Sequence, residues 1–303
     1  TQAMQGLFEI NVYICTENDE ADVIVINTCT VTAVGDKKSR QMISRAKKNN
    51  PSAIIAVVGC YSQVSPDEVR KLPDVDIILG TTQRSRIVEY VEGFDGSRID
   101  AVNNEIKAEY EDISSNAQSR TRAMLKVQDG CDNFCTYCII PYARGRIRSR
   151  SINSAADEVR SLAEKGFSEV VIVGIHLASY GKGKDFTLLD LVKEISNVDG
   201  IRRIRLGSLE PLIITENFAK ELARLPKLCH AFHVSMQSGC DETLSRMNRR
   251  YTSEQYLAAV DALRKAMPDC AVSTDVMVGF PNESEDEFEK SLDTVIKAHF
   301  ADM

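Results

Sequence analysis

The feature that most constrains this chain is an alternation. Short, continuous, β-branched apolar runs are separated by stretches with helical periodicity. Strands buried on both faces of a parallel sheet read as such runs, because helical crossovers cover both sides. The alternation falls into two series. In the first, VIVIN (residues 23–27), AIIAVVG (53–59) and DIILG (76–80) are the strands. A helix is expected over 34–49, closed by Pro51, and a shorter one begins at Pro66. This βαβαβ order predicts an open parallel sheet with right-handed crossovers. In the second series the strands are AMLKVQ (123–128), EVVIVG (169–174), RIRLGS (203–208), AFHVSMQ (231–237) and CAVSTDVMVG (270–279), and FADM (300–303) begins a sixth. Helical patterns lie between them, as a TIM-type or partial barrel requires. The predicted class is α/β: an N-terminal open parallel α/β sheet domain over 1–92, then a partial (β/α)6 TIM-type barrel over 121–303. The polar, acidic stretch 93–120 is expected to be a linker with a surface loop. A β-hairpin extension of the second domain is its alternative reading.

Nine cysteines in 303 residues need an explanation. No run of about 18 apolar residues marks a membrane span. The first residues, TQAMQGLFEI, carry neither a basic region nor a long apolar stretch, so no signal peptide is expected there. A cytoplasmic, reduced setting follows, in which metal binding or catalysis accounts for thiols better than a disulfide framework. The chain has no initiator Met and starts in mid-pattern, so upstream residues are expected.

Three of the cysteines stand in DGCDNFCTYCIIPYARG, directly after the first barrel strand. Cys131, Cys135 and Cys138 have the spacing C-x3-C-x2-C. Three thiolates this close suit three corners of a [4Fe-4S] cluster and leave the fourth iron without a protein ligand. That open iron suits S-adenosylmethionine (SAM), whose amino and carboxylate groups chelate it. An electron from the cluster then splits a carbon–sulfur bond to give a 5′-deoxyadenosyl radical. The competing zinc site asks for four ligands in paired sets, and no such partner lies nearby in sequence.

Strand ends at the barrel mouth should line the SAM pocket: Gly174, Ser208, Gln237 and Asp275, with Glu210 as a similar candidate and His176 as a weaker one. Each is equally readable as a helix cap or a structural residue. Cys29 and Cys60 end two strands of the first sheet, at the edge where open α/β folds bind ligands. On cysteine statistics alone they read as unrelated buried thiols. A net charge of −7 argues against a globally basic RNA-coating protein. A local basic patch nevertheless flanks the cysteine loop. Arg144, Arg146, Arg148 and Arg150 alternate after it, and Arg120, Arg122 and Lys126 precede it. Such a patch suits phosphates; a salt-bridged edge is the bland alternative. Arg249 and Arg250 form another candidate pair for SAM or RNA.

Along nearly the whole chain, VINTCTV, KSRQM, VVGCYSQ, QDGCDNFCTYCIIPYARGRIRSR, GIHLASYG, HVSMQSGCDETLSRMNRRYT and TDVMVGFPNESEDEFE carry a resemblance. The sequence resembles the radical SAM methylthiotransferase family, most closely its tRNA threonylcarbamoyladenosine branch. The resemblance implies a radical SAM barrel and a methylthio group added at C2 of N6-threonylcarbamoyladenosine in tRNA beside the anticodon. It implies two [4Fe-4S] clusters, SAM, and a one-electron donor such as flavodoxin or ferredoxin. Tyr137 takes the place of an aromatic residue near the adenine. Cys29 and Cys60 become ligands of the auxiliary cluster, with a third Cys expected in a short motif upstream of the first helix. A small C-terminal RNA-binding TRAM domain is usual in the family, and the sequence stops before one. The alternatives are the same chemistry on isopentenyladenosine in tRNA or on a ribosomal-protein aspartate. From another class comes a non-catalytic iron–sulfur RNA-binding scaffold.

Overall fold

A computed structural model describes residues 1–16, 21–30, 32–103, 109–113 and 121–303. Arg120 and much of the expected linker lie outside these residues. The chain divides into two compact units. One is Thr1–Gln118 with Cys138–Arg146; the other is Ser119–Tyr137 with Ile147–Met303.

The first unit is built on a wholly parallel sheet of β1 (Val23–Thr28), β2 (Ile54–Gly59), β3 (Ile77–Ile78) and β4 (Ile99–Asp100), in that spatial order. Successive strand residues face opposite ways. On one side, Ile55 and Val57 meet Ile43 and Ala46 of helix Ala33–Asn49. On the other, Ala56 and Val58 meet Met4 and Phe8 of helix Gln2–Ile10 and Ile87 and Val88 of helix Ile87–Glu92. Thr32 starts the long helix by accepting a hydrogen bond from the Gly35 N–H. β4 falls within the stretch expected to link the two halves. Ile99 N–H bonds to Asp76 O and Ala101 N–H to Ile78 O, so a neighbour's register rather than composition makes this strand.

In the second unit, β5 (Ala123–Asp129), β7 (Glu169–Gly174) and β8 (Arg203–Leu206) run parallel, and β9 (Ala231–His233) pairs with β10 (Ala271–Ser273). Bridges Ile204–Leu228 and Leu209–Val234 join the two groups, and Ser273 bridges Asp302 at the expected sixth position. A short β6 (Arg148–Ser149) runs antiparallel to β5, an element the sequence did not suggest. β9 and β10 are shorter than expected. Beyond them only the Leu209–Val234 and Gln237–Val276 bridges persist, and Gln237 takes φ 65°, which ends an extended strand. Helices between the strands are started by Ser151, Thr187, Thr215, Thr252 and Ser284, each accepting a backbone N–H. Among the described residues no helix is long and apolar enough to cross a membrane.

Candidate cluster and cofactor site

The cysteine loop leaves the end of β5 and is tied down by the segment after helix Asp241–Arg246. Asn248 Nδ2 donates to the carbonyls of Asn133 (3.0 Å) and Phe134 (2.9 Å). Thr136 donates from its N–H to Met247 O (3.1 Å) and from Oγ1 to Arg246 O (3.0 Å). Arg250 donates to Asp132 O at 3.2 Å. Two sulfurs of the loop have donors aimed at them. The Asn133 N–H lies 3.5 Å from Cys131 Sγ, and the Arg249 guanidinium lies 3.4 Å from Cys135 Sγ. Metal-bound sulfurs accept hydrogen bonds from donors of this kind. No disulfide joins any of the nine cysteines. Among the described residues, no three His, Cys, Asp or Glu side chains converge as a single ion would need. Three thiolates spaced C-x3-C-x2-C suit separate iron corners of a cubane.

Beside the loop, three residues from separate segments meet around one carboxylate. Glu210 accepts from Asn133 Nδ2 (3.0 Å) and His176 Nε2 (3.0 Å), and Arg249 lies 3.5 Å away. The imidazole must carry its hydrogen on Nε2 to serve the carboxylate. Burial pushes the Glu210 carboxyl up, but the His176 hydrogen bond and the charges of His176 and Arg249 outweigh it. The net effect holds Glu210 below the usual carboxylate range. Gln128, fully buried, accepts from the His176 N–H at 2.7 Å and donates to the carbonyls of Asp129 and Gly130. Glu210, His176 and Arg249 were visible in the sequence as weak candidates. Asn133 and Gln128 carried no signal, since their roles depend on partners distant along the chain.

The expected SAM-pocket residues separate. Ser208 Oγ bonds His233 Nδ1 (2.9 Å) and Ser235 Oγ (2.7 Å), and His233 Nε2 lies 3.4 Å from Asp275, forming a polar ladder across strand ends. Gln237 joins it through its backbone, donating to Asp275 O and accepting from Met277 N. At Gly174 a Cβ would stand 2.8 Å from Gln128 Cβ and 2.9 Å from its Oε1, so the missing side chain makes room for Gln128. Tyr137 meets Phe280 edge-on at 6.3 Å, on the wall of a cavity of about 690 Å³ that Arg246, Val278 and Gly279 also line.

In the first unit, Thr28 pairs with Gly59, so Cys29 and Cys60 follow adjacent strands. Gly59 has φ 110°, and a Cβ on it would lie 2.5 Å from Thr28 O; only glycine makes this turn. Cys60 is buried and opens helix Cys60–Val64; Cys29 is exposed. Burial pushes the Cys60 thiol up, and this outweighs the charge and hydrogen bond of Arg144, which pull it down. Helix Ile140–Arg144 brings that arginine in, and Thr81 Oγ1 donates to Ala143 O at 2.9 Å.

The four arginines expected on one phosphate track do not form one. Arg144 sits at Cys60, and Gly145, at φ 72°, interrupts the extended chain. Arg148 and Arg150 are buried, the first 3.6 Å from Asp129 and the second paired with Glu158. Only Arg146 is exposed. Of the other basic residues, Lys126 pairs with Asp129, and Arg122 lies 3.8 Å from Glu169.

Residues 125–295 match the radical SAM superfamily, and residues 1–80 match a family described as uncharacterized protein family UPF0004. The threonylcarbamoyladenosine tRNA methylthiotransferase MtaB of Bacillus subtilis (strain 168) is 42% identical, aligned over 100% of this chain and 69% of its own length. The chain belongs to the radical SAM methylthiotransferase family. A second relative, the tRNA-2-methylthio-N(6)-dimethylallyladenosine synthase of Clostridium novyi (strain NT), is 36% identical over 99% of this chain and 69% of its own. Among solved structures, the radical SAM methyltransferase TsrM from Kitasatospora setae superposes with a TM-score of 0.70 at 17% identity. That match covers 97% of this chain and 63% of the other, a likeness of fold. Membership in the radical SAM superfamily brings a [4Fe-4S] cluster and SAM as cofactors.

Proposed function

We propose that this radical SAM protein is a cytoplasmic tRNA methylthiotransferase that places a CH3–S group on C2 of N6-threonylcarbamoyladenosine beside the anticodon. The observation that carries the reading is the presence, in one chain, of two separate thiol sets. One is the Cys131, Cys135 and Cys138 loop, with donors on two of its sulfurs; the other is the strand-end pair Cys29 and Cys60. When bound, the cluster on the loop and SAM supply the radical chemistry that an adenine C2–H, neither acidic nor displaceable, requires. Cys29 and Cys60 hold an auxiliary centre that carries the sulfur, and Arg144 steadies the Cys60 thiolate.

The remaining roles follow from chemistry. Glu210, negative and close to Cys131 and Cys135 through Asn133 and Arg249, suits the cationic amino group of SAM, with His176 and Asn133 fixing its rotamer. Tyr137 and Phe280 offer an aromatic wall for the adenine. Ser208, Gln237 and Asp275 supply polar strand-end groups beyond it. Arg146, which is exposed, suits a tRNA phosphate. A flavodoxin or ferredoxin serves as electron donor.

Threonylcarbamoyladenosine is preferred as substrate because the relative named for it is 42% identical, against 36% for the relative named for dimethylallyladenosine. The test supplies anaerobic full-length protein with SAM, a reductant and tRNA bearing either nucleoside, and analyses the nucleosides by mass spectrometry. Methylthio product on threonylcarbamoyladenosine is expected. Product on dimethylallyladenosine alone would change the substrate, and failure to form 5′-deoxyadenosine would reject the enzyme for an iron–sulfur RNA scaffold.

A further inference from the structure

A buried arginine that touches a cluster thiol is an electrostatic lever on that cluster. Arg249 has a side chain only 9% exposed and is held at three points. Its Nε donates to Tyr251 Oη at 3.0 Å, with the guanidinium 5.0 Å over the Tyr251 ring. Tyr251 is itself anchored, donating to Ser235 O (3.0 Å) and Met236 O (2.7 Å). The other end of the guanidinium reaches Cys135 Sγ at 3.4 Å and Glu210 at 3.5 Å. The cation therefore cannot swing away from the sulfur, and one carboxylate opposes its charge.

We propose that Arg249 sets the reduction potential of the cluster bound through Cys135, raising it, and that Glu210 trims that effect. The inference rests on the reading that Cys131, Cys135 and Cys138 bind the cluster. Reduction adds one electron from the one-electron donor and makes the cluster more negative by one unit; no bond forms or breaks. Hydrogen bonds to the sulfurs and nearby positive charge favour the more negative state. A guanidinium fixed in a site shielded from water acts with little screening. Glu210, partnered with the same guanidinium, acts in the opposite sense.

The test is an anaerobic redox titration of the full-length protein, followed by electron paramagnetic resonance without SAM, so that any role of Arg249 in holding SAM does not enter. Cys29→Ala and Cys60→Ala are present throughout, so that only the loop cluster reports. Iron and sulfide content in this background tests the underlying reading first; no cluster there sinks that reading and the inference with it. With the cluster present, Arg249→Gln should lower the ratio of reduced to oxidised cluster at a fixed poise about tenfold, which for one electron is about 59 mV. Glu210→Gln should move the midpoint upward. A merely structural role predicts no such reversal of sign. An unchanged midpoint in Arg249→Gln, or a downward shift in Glu210→Gln, overturns the proposal. If Arg249→Gln takes up no iron, Glu210→Gln decides alone: an upward shift supports the lever and an unchanged midpoint overturns it.

Discussion

Arg146 and Arg150 stand four positions apart and meet different surroundings. Arg150 and Glu158 are each only 3% exposed, and Arg150 also donates to Ser154. Removing one partner of a buried pair strands the other charge, so Arg150→Ala should cost about 3–5 kcal/mol of stability, read by urea denaturation. Its salt dependence of tRNA binding should match that of the unaltered protein. Arg146→Ala should do the reverse. Stability is kept, and the slope of log affinity against log salt flattens by about 0.9 if one phosphate contact is lost, by analogy with duplex DNA. An unchanged slope would remove Arg146 from the tRNA surface. Alternation in RGRIRSR suggested one face for all four arginines because an extended strand has period two. Helix Ile140–Arg144 and the turn at Gly145 break that alternation. Asp129 and Glu158, acids delivered by β5 and by helix Ile152–Glu164, meet Arg148 and Arg150, and no local pattern announces them. The three loop cysteines carry the opposite kind of signal: their spacing is local and their chemistry narrow.

Between elements, helix Asp241–Arg246 is fastened to helix Glu285–Ala298 by the Arg246–Glu287 fork, whose first arm measures 2.9 Å. The Arg246 hydrogen bonds, helped by the Ser284 N–H, hold the Glu287 carboxyl down to about 2. An unfolded glutamate titrates near ~4.3, so between these values the unfolded chain binds the extra proton. Stability from this pair is therefore complete above the unfolded value and is lost as pH falls toward the folded one. Urea midpoints measured from pH 5 down to pH 2 should fall more steeply for the unaltered protein than for Glu287→Gln. Parallel traces would show that the fork adds nothing. Long strands and capped helices were readable at this scale, because β-branched runs and Ser or Thr caps are written in sequence. β4 and β6 were not. Each is two residues long and exists because a neighbouring strand offers its register.

For the molecule as a whole, the proposed roles of the two thiol sets predict two separable activities. Cys29→Ala in the full-length protein should spare reductive cleavage of SAM and stop methylthio transfer to tRNA, followed by product analysis of both reactions. Normal methylthiolated product would remove Cys29 from the auxiliary centre. The order of elements made the two-part α/β plan plain, since parallel sheets with helical crossovers leave few alternatives. Where the parts divide was not plain, and the division carries a consequence. Residues Cys138–Arg146 pack with the first unit although they follow the opening strand of the second. The peptide backbone passes from one unit to the other three times. A recombination joint at residue 120, where composition would invite it, cuts only one of those passages and leaves the other two inside the downstream partner. A joint there would bring in, with the downstream part, the nine residues that begin at Cys138 and so replace one piece of the first unit together with the second.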